Sequence, residues 1–252
     1  MNATVGVIIP TFERPHETNR AVESVINQSY KVQQIVVIDD GSSDSNFFIL
    51  KSLLEDKVVQ LIRIEPSRHP GIARKVGLNK IETDWVAFLD SDDFWHPQKI
   101  EIQIRLAAQH NTEAICSNAD IVNQVSGDCH PSNYKSGFIS RRKLMKKNLI
   151  INSSVLVSRK ILEKSGGIET RYSMRGAEDY VTWLRISELS KWYMSEQSLV
   201  NYQEDSSNSV RISSQSLEID SQLQGLLGYF YSLRQNKFKN KLLKLFIRTL
   251  LK

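Results

Sequence analysis

Four short, mainly apolar runs, at residues 5–10, 34–38, 58–64 and 84–89, recur through the first third of the chain. Runs of this length, rich in Val and Ile and bounded by polar turns, predict strands of a sheet buried on both faces. Residues 15–28, 44–55 and 71–80 lie between them and predict helices, with a fourth at 97–109. The first carries Pro15 in its opening turn and Ala21, Val22, Val25 and Ile26 at helical spacing; the second carries Phe47, Phe48, Leu50, Leu53 and Leu54. Strands alternating with helices of ten or more residues need right-handed crossovers and a parallel sheet. The expected fold class is α/β, a Rossmann-like, mostly parallel sheet with flanking helices and a C-terminal helical extension. Ligands of such a sheet bind at the carboxyl ends of its strands.

The fourth run, Trp85-Val86-Ala87-Phe88-Leu89, ends in Asp90-Ser91-Asp92-Asp93, three carboxylates within four residues. Like charges this close cost electrostatic energy unless a cation sits among them. Hard oxygen ligands suit Mg²⁺ or Mn²⁺ bridging to a diphosphate; a solvated acidic turn capping the next helix is the competing structural reading. The first strand delivers Thr11, Glu13 and Arg14 to the same edge, and the second delivers Asp39 and Asp40. A carboxylate after the second strand can accept hydrogen bonds from a base or ribose, and Gly41 lets backbone approach a ligand. No GxGxxG follows the first strand, where Pro10-Thr11-Phe12-Glu13-Arg14 stands, and no GxxxxGK[ST] occurs. A dinucleotide-binding dehydrogenase and a P-loop enzyme are therefore disfavoured.

At 252 residues the chain suits one large domain, or one domain with an appendage. Cys116 and Cys129 form no CxxC, the five histidines show no zinc-ligand spacing, and the first strand begins too early for a secretory leader. No apolar run approaches the roughly 18 residues of a membrane span. A cytoplasmic setting is expected. Of the 33 basic residues, seven lie at or after Arg234; without them 26 basic residues face 28 acidic ones. The basic character belongs to a tail, which argues against a nucleic-acid partner.

Five ordered motifs together resemble a known family. They are Ile8-Ile9-Pro10-Thr11-Phe12-Glu13-Arg14, Val37-Ile38-Asp39-Asp40-Gly41-Ser42-Ser43-Asp44, Gly71-Ile72-Ala73-Arg74 with Gly77, Phe88-Leu89-Asp90-Ser91-Asp92-Asp93, and Gly176-Ala177-Glu178-Asp179-Tyr180-Val181-Thr182-Trp183-Leu184-Arg185. The chain resembles the family 2 glycosyltransferases of GT-A fold, inverting nucleotide-sugar transferases of bacterial polysaccharide and O-antigen assembly. One departure stands in the third motif, where Lys75 replaces the usual Asn.

The resemblance implies that Thr11 and Glu13 hold the nucleoside, with Pro10, Arg14 and Ser91 also on the donor side, and that Asp40 accepts a hydrogen bond from uracil. It implies that Asp90 reaches the ribose or pyrophosphate, that Asp92 ligates Mn²⁺ or Mg²⁺, and that Arg74 adds positive charge near the phosphates. Glu178-Asp179 would supply the general base, Asp179 foremost; acids there also suit the first turn of a helix. The expected reaction moves a hexose or N-acetylhexosamine from a nucleotide sugar, with UDP expected, to a hydroxyl of a lipid-linked saccharide. A non-catalytic nucleotide-sugar-binding or scaffold subunit is the alternative.

The second half is less regular. Residues 114–125, 152–158, 192–194 and 198–202 predict strands, and a polar loop or lid is expected over 204–216. Within the resemblance this half lines the acceptor site, with Tyr172, Met174, Arg175, Tyr180 and Trp183 as candidate sugar contacts, although Trp183 also suits a core position. The expected division is residues 1–203 as the GT-A domain, with 1–110 as its nucleotide-sugar-binding half and 111–203 as its acceptor-binding half, and 204–252 as an extension. At 100° per residue, Lys237, Lys241, Lys244, Arg248 and Lys252 share one helical face, and Phe238, Leu242, Leu243, Leu245, Phe246, Ile247, Leu250 and Leu251 fill the other, with Lys239 misplaced. A basic amphipathic helix of that kind is drawn to an anionic membrane surface, which predicts peripheral attachment to the inner face of the plasma membrane; packing on the body or on a second copy is the other reading.

Overall fold

A computed structural model describes residues 3–123, 129–204 and 215–235. The first half follows the expected alternation: β1 (Val5–Thr11), α1 (Pro15–Ile26), β2 (Gln34–Asp39), α2 (Asp44–Leu54), β3 (Gln60–Arg63), α3 (Pro70–Leu78) and β4 (Trp85–Phe88). Then come β5 (Phe94–Trp95), α4 (Lys99–His110), β6 (Ala114–Asn123), β7 (Cys129–Pro131), β8 (Gly137–Ile139), α5 (Arg141–Lys146), β9 (Leu156–Ser158), α6 (Arg159–Lys164), α7 (Glu178–Ile186), β10 (Trp192–Glu204) and α8 (Gln215–Gln235). One ten-stranded sheet runs β3-β2-β1-β4-β9-β6-β10-β5, with β7 on β6 and β8 on β10.

Side-chain alternation decides which helices cover which face. Ile8, Val36, Ile38, Val86 and Phe88 point to one face and pack with Ala73 and Leu78 of α3 and Trp183 of α7. Val5, Val7, Ile9, Val37, Ala87 and Leu89 point to the other, against Ala21, Val22 and Val25 of α1 and Leu50 of α2. Gly77 lets α3 lie close on β1, since a Cβ there would stand 2.5 Å from Ile8 Cγ2.

Strands β1 to β4 are parallel, as expected, but β9 enters antiparallel between β4 and β6. The predicted strand over 152–158 is a strand only at its end; Asn152–Ser154 is a buried 3₁₀ turn, from which Asn152 and Ser153 reach the acids after β4 while the Ser154 hydroxyl donates to Ile151 O. The two strands predicted at 192–194 and 198–202 form one, β10, parallel to β6 with register shifts between Ser195 and Ser198 and between Ser198 and Asn201. Those shifts hide the continuous strand from a period-2 reading. Of the predicted 204–216 loop, residues 205–214 lie outside the described residues, as does the basic tail after Gln235. Helix α8 docks on α7 through two glycines: a Cβ on Gly225 would stand 2.3 Å from Tyr180 Cδ1, and one on Gly228 would stand 2.2 Å from Met174 Sδ. Among the described residues, no helix is long and apolar enough to cross a membrane.

Candidate active site

The ends of β1, β2 and β4 meet the N-terminal ends of α3 and α7 along one edge of the sheet, and Arg74 is the node that joins them. Its Nη2 donates to Asp90 Oδ1 at 2.6 Å and its Nη1 to Glu178 Oε1 at 3.0 Å. Burial alone would lower the guanidinium's pKa, but Asp90 and Glu178 beside it outweigh that and raise it. Asn152 Nδ2 donates to the same Asp90 oxygen at 2.9 Å. Glu178 Oε2 accepts from Gly176 N at 2.6 Å, so both of its oxygens are engaged, and the residue is buried. Asp179, beside it in the first turn of α7, is only partly buried; its Oδ1 accepts from Tyr180 N at 2.6 Å, and its charge reaches Arg74. Arg74, Asn152, Glu178, Asp179 and Thr182 share a small cavity with Trp183.

The three carboxylates after β4 part company. Asp92 pairs with Arg14, and its backbone carbonyl accepts from Arg20 Nη2 at 2.7 Å. Burial, then the charge of Asp90, raises the Asp92 pKa, and Arg14 opposes both. Asp93 turns away from this group: it is fully buried, accepts from Ser153 Oγ and from Gln203 N, and burial pushes its pKa well up. The expected triad is therefore two acids at the site and one that fastens the loop to β10. Ser91 is buried between them.

At the β1 and β2 ends, Glu13 takes a left-handed backbone (φ 57°) and accepts from Ser43 N at 2.6 Å, Ser43 Oγ at 2.9 Å and Asn46 Nδ2. Those bonds, the one from Asn46 first, lower its pKa, and they satisfy donors at the start of α2. Thr11 Oγ1 turns inward to Thr18 Oγ1 at 2.6 Å. Pro10 pairs in register with Ile38 on β2. Asp39 is fully buried against Ser42 and 3.5 Å from Arg63 Nε, and burial raises its pKa. Asp40 Oδ1 accepts from Ser67 N at 2.7 Å. Gly41 (φ +74°) lies against Pro66 and closes this loop.

Several residues escaped sequence reasoning. Ser153 Oγ donates to Asp93 and accepts from Asp90 N at 3.1 Å, while Trp95 Nε1 donates to Ser153 O at 2.8 Å. The signal lay in the sequence: Asn152-Ser153-Ser154 interrupts the apolar stretch Leu149-Ile150-Ile151 and Val155-Leu156-Val157. Consecutive polar residues in such a run have hydrogen-bond work inside the fold. Buried His69 caps α3, with Nδ1 accepting from Gly71 N at 3.1 Å and Nε2–H donating to Arg171 O at 3.1 Å. Of the candidate sugar contacts, Tyr180 and Trp183 are core residues: the Tyr180 hydroxyl donates to Leu144 O at 2.8 Å, and the Trp183 ring packs 5.7 Å from Phe88. Met174 is buried too, whereas Tyr172 and Arg175 are exposed. Lys75, the departure from the motif, points to solvent.

A profile of the family described as Glycosyl transferase family 2 matches residues 6–166, which carry four of the five motifs and most of this edge. The chain belongs to that family. Among curated proteins it is 27% identical over 182 residues to the Escherichia coli UDP-Glc:alpha-D-GlcNAc-diphosphoundecaprenol beta-1,3-glucosyltransferase WfgD, covering 72% of this chain and 69% of that one. It is 25% identical over 183 residues to the putative teichuronic acid biosynthesis glycosyltransferase TuaG of Bacillus subtilis, covering 72% and 71%. A glycosyltransferase of Haemophilus influenzae is 34% identical over 108 residues, but this chain spans only 43% of its length. Among solved structures, S. aureus TarS 1–349 in complex with UDP-GlcNAc superposes with a TM-score of 0.68 at 17% identity, covering 93% of this chain and 75% of that one. That likeness establishes the GT-A fold expected from the motifs.

Proposed function

We propose that the chain is an inverting glycosyltransferase that moves a hexose or N-acetylhexosamine from a nucleotide sugar, with UDP the nucleotide, to a hydroxyl of a lipid-linked saccharide in surface polysaccharide synthesis. One observation carries the reading: Arg74 ties Asp90, on the donor side, to the α7 turn that presents the partly exposed Asp179. The carboxylate that takes a proton and the edge that holds the leaving group are thus parts of one rigid unit. Asp179 would accept the proton of the acceptor hydroxyl while that oxygen bonds to the anomeric carbon from the face opposite the diphosphate. The bond from anomeric carbon to diphosphate oxygen breaks as the new one forms, and the nucleoside diphosphate departs with the electron pair. Asp40 and the loop at Gly41 would receive the base, and Arg14 and Arg74 would meet the charge of the phosphates. The relatives support this direction: WfgD is named for a UDP-glucose donor, a diphosphoundecaprenol acceptor and a β product, and TarS has been solved with UDP-GlcNAc.

Asp92 is the carboxylate suited to a divalent cation. Among the described residues no group of three or more His, Cys, Asp or Glu side chains is placed to hold a metal ion by itself. Mg²⁺ sites commonly use one or two carboxylates together with substrate phosphates and waters, and the mutual repulsion of Asp90 and Asp92 fits such a donor set. When bound, the cation neutralises charge on the leaving diphosphate. The enzyme would work at the inner face of the plasma membrane, where its acceptor is anchored.

Purified protein offered UDP-, GDP- and dTDP-sugars with a lipid diphosphate saccharide tests this. Release of UDP that needs Mn²⁺ or Mg²⁺, and a β-linked product from an α-linked donor by NMR, are expected. An α product overturns inversion, and full turnover in excess EDTA overturns the cation. Binding of UDP without release from any donor leaves the scaffold reading.

A further inference from the structure

The helix that closes the acceptor half carries apolar residues on the wrong side for a core. Leu223, Leu227 and Tyr231 follow one another at i, i+4 and i+8 along α8 and are 50%, 59% and 53% exposed. The opposite side of the same helix, with Gly225, Gly228, Tyr229 and Leu233, is pressed onto α7 and the turn before it. The outward stripe is thus a ridge held in place by a well-packed base.

Cations flank it. Helix α5 lies alongside, joined where Gln222 donates to Lys146 O and where Tyr229 and Arg141 share Glu188. From α5 and its end Lys143, Lys146 and Lys147 project into solvent. On the other flank Arg171, its charge paired with Glu169, stacks over the Tyr231 ring at 5.0 Å. The acids Glu218 and Asp220 precede the ridge, and after Gln235 the sequence continues with six basic residues and no acidic one.

We infer that this ridge and its α5 shoulder are the surface by which the protein docks on anionic phospholipid. An apolar strip bordered by lysines matches an interface of acyl chain and anionic headgroup. Two copies packed antiparallel, ridge on ridge, would set the α5 lysines of one against those of the other, a repulsive arrangement. The surface is next to the chemistry, because α8 rests on α7, whose first turn bears Asp179. The inference deepens the proposed reading, since a lipid-borne acceptor puts the cleft at a bilayer.

Sedimentation of the full chain with vesicles of phosphatidylglycerol and phosphatidylethanolamine tests it, beside vesicles of phosphatidylcholine. Wild type should pellet with the anionic vesicles only and be released by salt. Each lysine near an anionic surface is worth about five-fold in partition, so Lys143→Ala/Lys146→Ala should lower it by about 25-fold, and Leu223→Asp/Leu227→Asp should abolish it. UDP affinity by calorimetry should be unchanged in both variants, which shows that the fold survives. Variants that sediment like wild type would overturn the inference and leave binding to the tail alone. Failure of wild type to bind, or a dimer in light scattering that Leu223→Asp/Leu227→Asp dissolves, overturns it as well. Vesicle binding is read without turnover, so its failure is distinct from failure to release UDP.

Discussion

Arg74 on α3 and Glu178 on α7 form a buried ion pair of 3.0 Å across 104 residues of sequence. The second carboxylate on Arg74, that of Asp90, comes from the end of β4. The guanidinium fork suits this task, because two of its donors can serve two acids held by different elements.

Arg74→Met should therefore leave Glu178 buried beside Asp90 without a counter-charge. Removing one partner of a buried pair costs about 3–5 kcal/mol, and a drop of that size in urea unfolding is the expected result. Glu178→Gln should be milder, since Arg74 keeps Asp90 and the Gly176 N–H keeps an acceptor. Equal losses in the two variants would mean that Arg74 acts through Glu178 alone.

Asp179→Asn should lower kcat by about 10²–10⁴ with UDP affinity near wild type. Glu178→Gln should cost less in kcat, because Glu178 is buried with both oxygens in use, whereas Asp179 is the acid with partial exposure. Steady-state rates beside calorimetry decide this. A larger kcat loss in Glu178→Gln would exchange the two roles.

Asn152→Ala should loosen the Asp90 carboxylate, whose remaining side-chain partner among the described residues is Arg74. A hydrogen bond to a charged group contributes about 1.5–3 kcal/mol, so donor affinity should fall about ten-fold or more. Among the described residues the buried Asn152 Oδ1 has no hydrogen-bond partner, so removing the amide strands no donor there. Calorimetry with the nucleotide sugar, read beside a melting curve, separates weaker binding from weaker folding. Unchanged affinity removes Asn152 from the positioning of Asp90.

Parallel strands wrapped by helices left a plain record in sequence, because β1, β2 and β4 are apolar along most of their length and each helix shows one apolar face; β3, Gln60-Leu61-Ile62-Arg63, is exposed at both ends. The acids at the strand ends were legible for the same reason: Asp90 and Asp92 break a run that would otherwise be wholly buried. What the sequence did not show is which partner each acid takes. Asp93 looks like Asp92 in the motif, yet Ser153, 60 residues away, and Gln203, 110 residues away, turn it inward. The same non-locality hid β5 and β8, two- and three-residue strands that exist only because β10 offers an edge. Trp183 and Tyr180 read as possible sugar platforms because an aromatic ring suits both a core and a saccharide; only the packing of α8 and Phe88 assigns them to the core.

Glu169 gives a test of stability against pH that does not touch the chemistry. It is 5% exposed, and its Oε1 accepts from Thr170 N, Arg171 N and Arg171 Nε at 2.9–3.0 Å, with Arg171 Nη2 on Oε2 at 2.8 Å. Burial pushes its pKa up, but the bonds from Arg171 and the charge of Arg185 outweigh this and bring it from 4.5 to about 2. A depressed carboxylate stabilises the fold fully above its unfolded pKa and loses that contribution as pH falls through the folded value. The window is therefore pH 4.5 down to about 2. At neutral pH the contribution is about 3 kcal/mol, and Glu169→Gln should lose an amount of that order. The gap between wild type and variant should more than halve by about pH 3, because the Glu169 carboxylate of the unfolded wild type takes up a proton there while the folded one stays ionised, and the variant has no such group. Asp93 titrates in the opposite sense in both proteins and cancels from the difference. Urea unfolding of the pair from pH 7 to pH 3 measures the gap, and a gap that stays constant over that range would show that Glu169 contributes through packing and not through its charge.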